Sequence, residues 1–128
     1  MGNSNIKLFG YIPKEGILGG EIHDAYRIVT TDREDFSPWE PIRVWCDLLI
    51  NGIFPKDAIL LGIEGGRIAA IEYRLGLALG AIVGIVENSG RAANDIFKDD
   101  YWKNHKNLHK IPDEAESFWA FFNNNTTK

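Results

Sequence analysis

The chain has one cysteine in 128 residues, no apolar run near membrane-spanning length and no cluster of basic residues. Each absence excludes something. A lone Cys46 allows no internal disulfide and no thiolate metal cluster, so no metal site, cofactor or oxidising compartment is expected. Without the ~20 consecutive apolar residues that a membrane span takes, no membrane partner is expected. Lysine and arginine number 14 against 18 acidic residues, a net charge of −4. That balance argues against sequence-independent binding of nucleic acid, although single arginines can still hold one phosphate. The opening MGNSNIK carries no apolar signal region, and Ile6 stands where a myristoylation motif takes Ser or Thr, so a cytoplasmic location is expected.

What is present fits one packed domain over residues 1–128, with 45% hydrophobic residues, 12% aromatics and no repeat or low-complexity linker. Its centre is Ala58 to Val86, AILLGIEGGRIAAIEYRLGLALGAIVGIV. Ala58 to Ile63 is a short branched run that suits a buried parallel strand, and Glu64-Gly65-Gly66 breaks it. From Arg67 the apolar spacing turns helical, with Ile68, Ile71, Leu75, Ala78 and Leu79 on one stripe expected to face the sheet, up to Gly80. Ile82 to Val86 is the next strand. A strand, helix and strand in so short a span close as a right-handed crossover, which makes the strands parallel and puts the glycine turn at a carboxyl edge.

Around this unit, Ile6 to Ile12 and Ala25 to Thr30 read as strands, joined by a glycine-rich loop, Lys14 to Glu21, and the pair His23-Asp24. Ser37-Pro38-Trp39-Glu40 is a capping box with proline at the first helical position. The helix it opens carries Ile42, Trp45, Cys46, Leu49 and Ile53 at core spacing, so Cys46 is expected to be buried. Ala92 to Phe97 reads as a short helix, and Lys98 to Lys106 as a loop pinned by aromatics. Asn107 to Ile111 is an edge strand, and Asp113 to Asn123 an amphipathic helix with a frayed tail from Asn124. The expected fold is a three-layer Rossmann-like α/β sandwich of about four or five mainly parallel strands, with Ala58–Ile63 and Ile82–Val86 as central neighbours.

Carboxyl edges of such sheets bind ligands, because helix N-termini there present unpaired N–H groups. Two adjacent turns form the candidate pocket: Gly65, Gly66 and Arg67 from the first, Ser89, Gly90 and Arg91 from the second. Glu72 lies about 40° from Ile68 and 20° from Leu79 on the helical wheel, inside the sheet-facing stripe. A carboxylate there needs a compensating charge or a cleft, and Arg91 in the next turn is its expected partner. Ala70 and Leu77 project to the opposite side, an outward apolar face that implies an intrachain cover or a homodimer.

Gly65-Gly66-Arg67-Ile68-Ala69-Ala70-Ile71-Glu72 resembles the PGGxGTxxE motif of LOG-type phosphoribohydrolases and their relatives in the SLOG superfamily of Rossmann-like nucleotide-binding domains. Gly65, Gly66 and Glu72 match in register; Glu64, Ile68 and Ala69 replace the proline, third glycine and threonine. Glu72 to Val83 is also similar to a stretch of nucleoside deoxyribosyltransferases whose glutamate is the nucleophile. The resemblance implies a domain that holds a nucleotide or nucleoside derivative, with the glycine turn at a phosphate or sugar and Glu72 at the ribose. Three functions follow: a sensor-like nucleotide-binding module, an N-glycosidase or nucleoside transferase with Glu72 as catalytic carboxylate, and a structural domain with a vestigial pocket.

Overall fold

The computed structural model describes residues 7–13 and 24–126. The glycine-rich loop at 14–21 and His23 lie outside them. By packing, the chain divides into two compact units, residues 1–47 and 48–128. Among the described residues no helix is long and apolar enough to cross a membrane.

In the first unit, β1 (Leu8–Pro13) pairs in parallel with β2 (Tyr26–Thr31), Leu8 opposite Tyr26 and Pro13 opposite Thr31. Helix α1 (Trp39–Ile50) follows β2 and runs past the division. Its start is the expected capping box. The Ser37 N–H donates to Glu40 Oε1 at 3.3 Å, the Ser37 hydroxyl to Glu40 Oε2 at 3.2 Å, and the Trp39 N–H to Ser37 Oγ at 3.2 Å. The Tyr11 hydroxyl donates to Asp47 Oδ2 at 2.9 Å, tying α1 to β1. Of the expected core stripe of α1 only Trp45 is buried, whereas Ile42, Leu49 and Ile53 are each more than a third exposed. Glu40, Pro41 and Trp45 are the buried residues of the helix, and Cys46 is exposed. The inward line runs through the i, i+4 pair Pro41 and Trp45, so Cys46, one residue further, is turned about 100° away.

The second unit is a parallel sheet in the order β3 (Ile59–Gly62), β4 (Ile82–Val86), β5 (Leu108–Ile111), with Ile59 opposite Ile82 and Val83 opposite Leu108. The described residues are thus α/β, with parallel sheets of two and three strands and four α-helices. The expected pair of adjacent parallel strands is present, with β4 central and β3 at one edge of its sheet. α2 (Arg67–Leu79) and α3 (Arg91–Asp95) cover one face with Tyr73, Leu77, Ala92, Ala93 and Ile96 on Val83 and Ile85. α4 (Ala115–Thr126) covers the other through Phe121 on Ile82 and Ile111. The tail expected to fray from Asn124 stays helical, its side chains bonding back: Asn125 Nδ2–H donates to the Phe121 carbonyl at 2.7 Å and the Thr126 hydroxyl to that of Phe122 at 2.7 Å.

Helix α2 is seated on the face opposite to the expected one. Leu77 is 1% exposed and Tyr73 4%, whereas Ile71 and Leu79 stand more than 40% exposed. The reason is steric. Tyr73 lies over Gly62, where a Cβ would come within 2.7 Å of the Tyr73 ring and also overlap Ile85. Gly76 is buried and Ala69 and Ala70 pack on the core, so this side can approach the strands closely. The Tyr73 hydroxyl then donates to the Glu64 carbonyl at 3.2 Å and fastens the glycine turn. A stripe of larger side chains loses to a smaller surface that fits.

Candidate functional site

The two βα turns at the carboxyl edge of the second unit's sheet are where the left-handed backbone collects. Glu64 (φ 54°), Asn88 (φ 55°) and Arg91 (φ 47°) are the non-glycine residues with positive φ among those described, flanked by Gly65 (φ 92°) and Gly90 (φ 99°). Left-handed conformations cost such residues about 1 kcal/mol or more each. The turns hold them by lacing to one another. The Ala92 N–H donates to the Gly65 carbonyl at 3.1 Å and the Ala93 N–H to that of Glu64 at 2.9 Å. Ser89 Oγ accepts the Glu64 N–H at 2.9 Å and donates to the Val86 carbonyl at 2.9 Å. The Gly90 N–H donates to Asn94 Oδ1 at 3.1 Å.

This lacing divides the expected site residues by role. Ser89 and Gly90 use their hydrogen-bonding groups to build the edge, and the start of α3 is occupied by the glycine turn. The start of α2 differs. Its cap residue is Gly66, no side chain caps it, and its first turn has no acidic residue. The Arg91 guanidinium lies against it, close enough that a Cβ on Gly66 would be 2.9 Å from an Arg91 terminal nitrogen. A cation at the positive end of a helix is electrostatically unfavourable. Its compensation is slight: Arg91 Nη1 is 3.7 Å from Glu64 Oε1, with both side chains mostly in solvent.

Gly65, Gly66, Arg67 and Arg91 line a cavity of about 610 Å³ that extends along α2 past Ala70 and Ile71 to Arg74, with Ala92 and Asp95 opposite. Arg74 was not among the expected site residues. Its signal was legible, since Arg67 and Arg74 are seven apart and share one helix face. Arg74 is held by Asp99 Oδ2, at 3.0 Å from Nη2, and by the Ala70 carbonyl, at 2.9 Å from Nη1. That guanidinium holds the Asp99 carboxyl below its usual range. Asp95 lies 3.8 Å from Lys98 Nζ. Arg67 has no ion pair among the described residues.

The expected pairing of Glu72 with Arg91 is not made. Arg91 pairs with Glu64, and Glu72 does not line the cavity. The reversed seating of α2 explains this, because Glu72 lies about 160° round the helix from Ala70 and Arg74, on the other flank. Glu72 is part-buried, and burial raises its pKa above the ordinary value with no cation to offset it. Among the described residues no three His, Cys, Asp or Glu side chains gather as a metal would need. The chain matches no family model, no curated protein and no solved structure. What the site can do is therefore decided by its own chemistry: it can hold an anion at an uncapped helix start between arginines.

Proposed function

We propose that the chain is a binding module for a nucleotide or nucleoside derivative, gripped by its phosphate at the start of α2. One observation carries this: an uncapped helix start, with no acid in its first turn and Arg91 packed on it, opens into a cavity that also holds Arg67 and Arg74. A phosphate there accepts from the backbone N–H groups of the helix start and offsets the charge of Arg67 and of the weakly paired Arg91. Gly65 and Gly66 let it approach the backbone. The apolar wall of Ala70 and Ile71 gives the remainder of the ligand a surface. A three-layer Rossmann-like sandwich of four or five mainly parallel strands belongs to the same proposal, supported by the parallel pairing of all five strands.

A binding role fits better than N-glycosidase or transferase chemistry, since the carboxylate facing this cavity is Asp95 and Glu72 is on the opposite flank of α2. The test is calorimetric titration with AMP, ADP and adenosine, together with an assay for released base. AMP and ADP should bind at least about tenfold more tightly than adenosine, as charge-assisted hydrogen bonds to a phosphate require, with no base released. Release of base would favour the catalytic reading. Absence of binding by all three would favour a structural domain.

A further inference from the structure

The outward side of α2 is apolar along its whole length. Ile68, Ile71, Leu75, Ala78 and Leu79 fall within a sector of about 100°, on average about 170° round the helix from the core residues Tyr73 and Leu77. Ile71 and Leu79 are 43% and 42% exposed, Ala78 is exposed, and Ile68 and Leu75 are part-exposed. None of the five packs on either buried cluster of the described residues. A surface helix turns its charged residues outward; this one keeps them at the margins, Arg67 and Arg74 on one side and Glu72 on the other. We infer that this face packs against a second copy of the chain, the two α2 helices antiparallel across a twofold axis. The inference does not rest on the phosphate site, although Ile71 stands where the face meets the mouth of that cavity.

Two properties of the helix point to a second copy as the occupant. The first is its size pattern, which is symmetric about Tyr73. In an antiparallel pair crossing there, Ile68 comes opposite the partner's Ala78 and Ile71 opposite the partner's Leu75. A large residue meets a small one toward each end, and two of similar size meet beside the axis. Each contact is made twice, as an isologous interface requires.

The second property is charge. α2 has no acidic residue in its first turn and no basic residue in its last, so its own side chains compensate neither end of its dipole. Antiparallel packing sets the positive start of each helix, with Arg67, beside the negative end of the other. A parallel pair would set start against start. Thirteen residues give a contact about 20 Å long, which buries less than the ~800 Å² per partner of a standard interface. The dimer should therefore be weak and exchange with monomer at about 10–100 μM chain.

Sedimentation equilibrium on the full chain should show that exchange. Ala78→Glu puts a charge into the interface twice, at a position exposed in the monomer, so it should raise the dissociation constant at least about tenfold and leave the unfolding temperature of dilute chain unchanged. Trp119→Glu, at a residue of α4 that is 71% exposed, should leave the constant unchanged. The register has its own test. In a Cys46→Ser background, the single variants Ile71→Cys and Leu75→Cys, mixed and oxidised, should cross-link to each other in preference to themselves. A monomer at ~500 μM chain, a dimer indifferent to Ala78→Glu or broken by Trp119→Glu, or variants that each link to themselves in preference would overturn the inference.

Discussion

Two helices in this protein begin in opposite ways. α1 starts on Ser37 and Glu40, whose side chains satisfy the exposed N–H groups reciprocally and bury the Glu40 carboxylate at 5% exposure. α2 starts on Gly66 with neither a cap nor an acid and draws two arginines toward its positive end. Both ends face the same electrostatic demand for a negative partner. The first supplies it from the chain. The second has no side-chain partner for it and starts among glycines and left-handed turns that two laced loops hold. The first start is completed by its own side chains; the second is the one we propose as a receptor for an anion.

The comparison breaks first if α2 is not seated by Tyr73 and Leu77, because that seating aims its start at Arg91. Leu77→Ala should cost about 2–5 kcal/mol in chemical unfolding, as truncation in a packed core does, whereas Leu79→Ala should cost under about 1 kcal/mol. Equal losses would return the helix to its other face. Glu40→Ala sharpens the contrast from the α1 side. Losing the capping box should cost about 1–2 kcal/mol without weakening nucleotide binding. Arg91→Ala is the mirror image: it should change stability by less than about 0.5 kcal/mol, since its ion pair is exposed, yet weaken AMP binding about tenfold or more. An Arg91 variant that unfolds more readily but binds normally would make that residue structural.

The smallest effect belongs to Glu72. Burial raises its folded pKa, so the folded chain binds a proton more readily than the unfolded one across that window. Stability from this group is full below the unfolded value, about pH 4, and declines as pH rises through the raised folded value. Glu72→Gln should remove that decline, seen as a flatter unfolding temperature against pH, and leave AMP affinity unchanged. A loss of affinity would bring Glu72 back into the site.

Much of the fold was legible in the sequence because its signals are local. The capping box at Ser37, the glycine stop at Gly80 and the switch from strand to helical spacing at Arg67 each depend on a few neighbouring residues, and each is where the sequence puts it. The seating of α2 was not legible, since both of its faces are apolar and the choice between them rests on Gly62 leaving room for Tyr73, a contact between elements. That one ambiguity moved Glu72 from the site, while the spacing that puts Arg74 on the Arg67 face was legible. Ser89 and Gly90 stand where expected, but sequence does not show that the Ser89 hydroxyl meets the Glu64 N–H of the glycine turn, or that the Gly90 N–H meets the Asn94 side chain, instead of solvent.

The central claim is that the start of α2 takes a phosphate, and backbone amide resonances during titration with AMP test it most directly. The amides of Gly66, Arg67 and Ile68 should shift saturably with one dissociation constant, those of Trp39 and Glu40 should stay fixed, and adenosine should leave both groups unmoved. Amides at Gly66, Arg67 and Ile68 that stay unmoved by AMP, or that follow adenosine as closely as AMP, would contradict it.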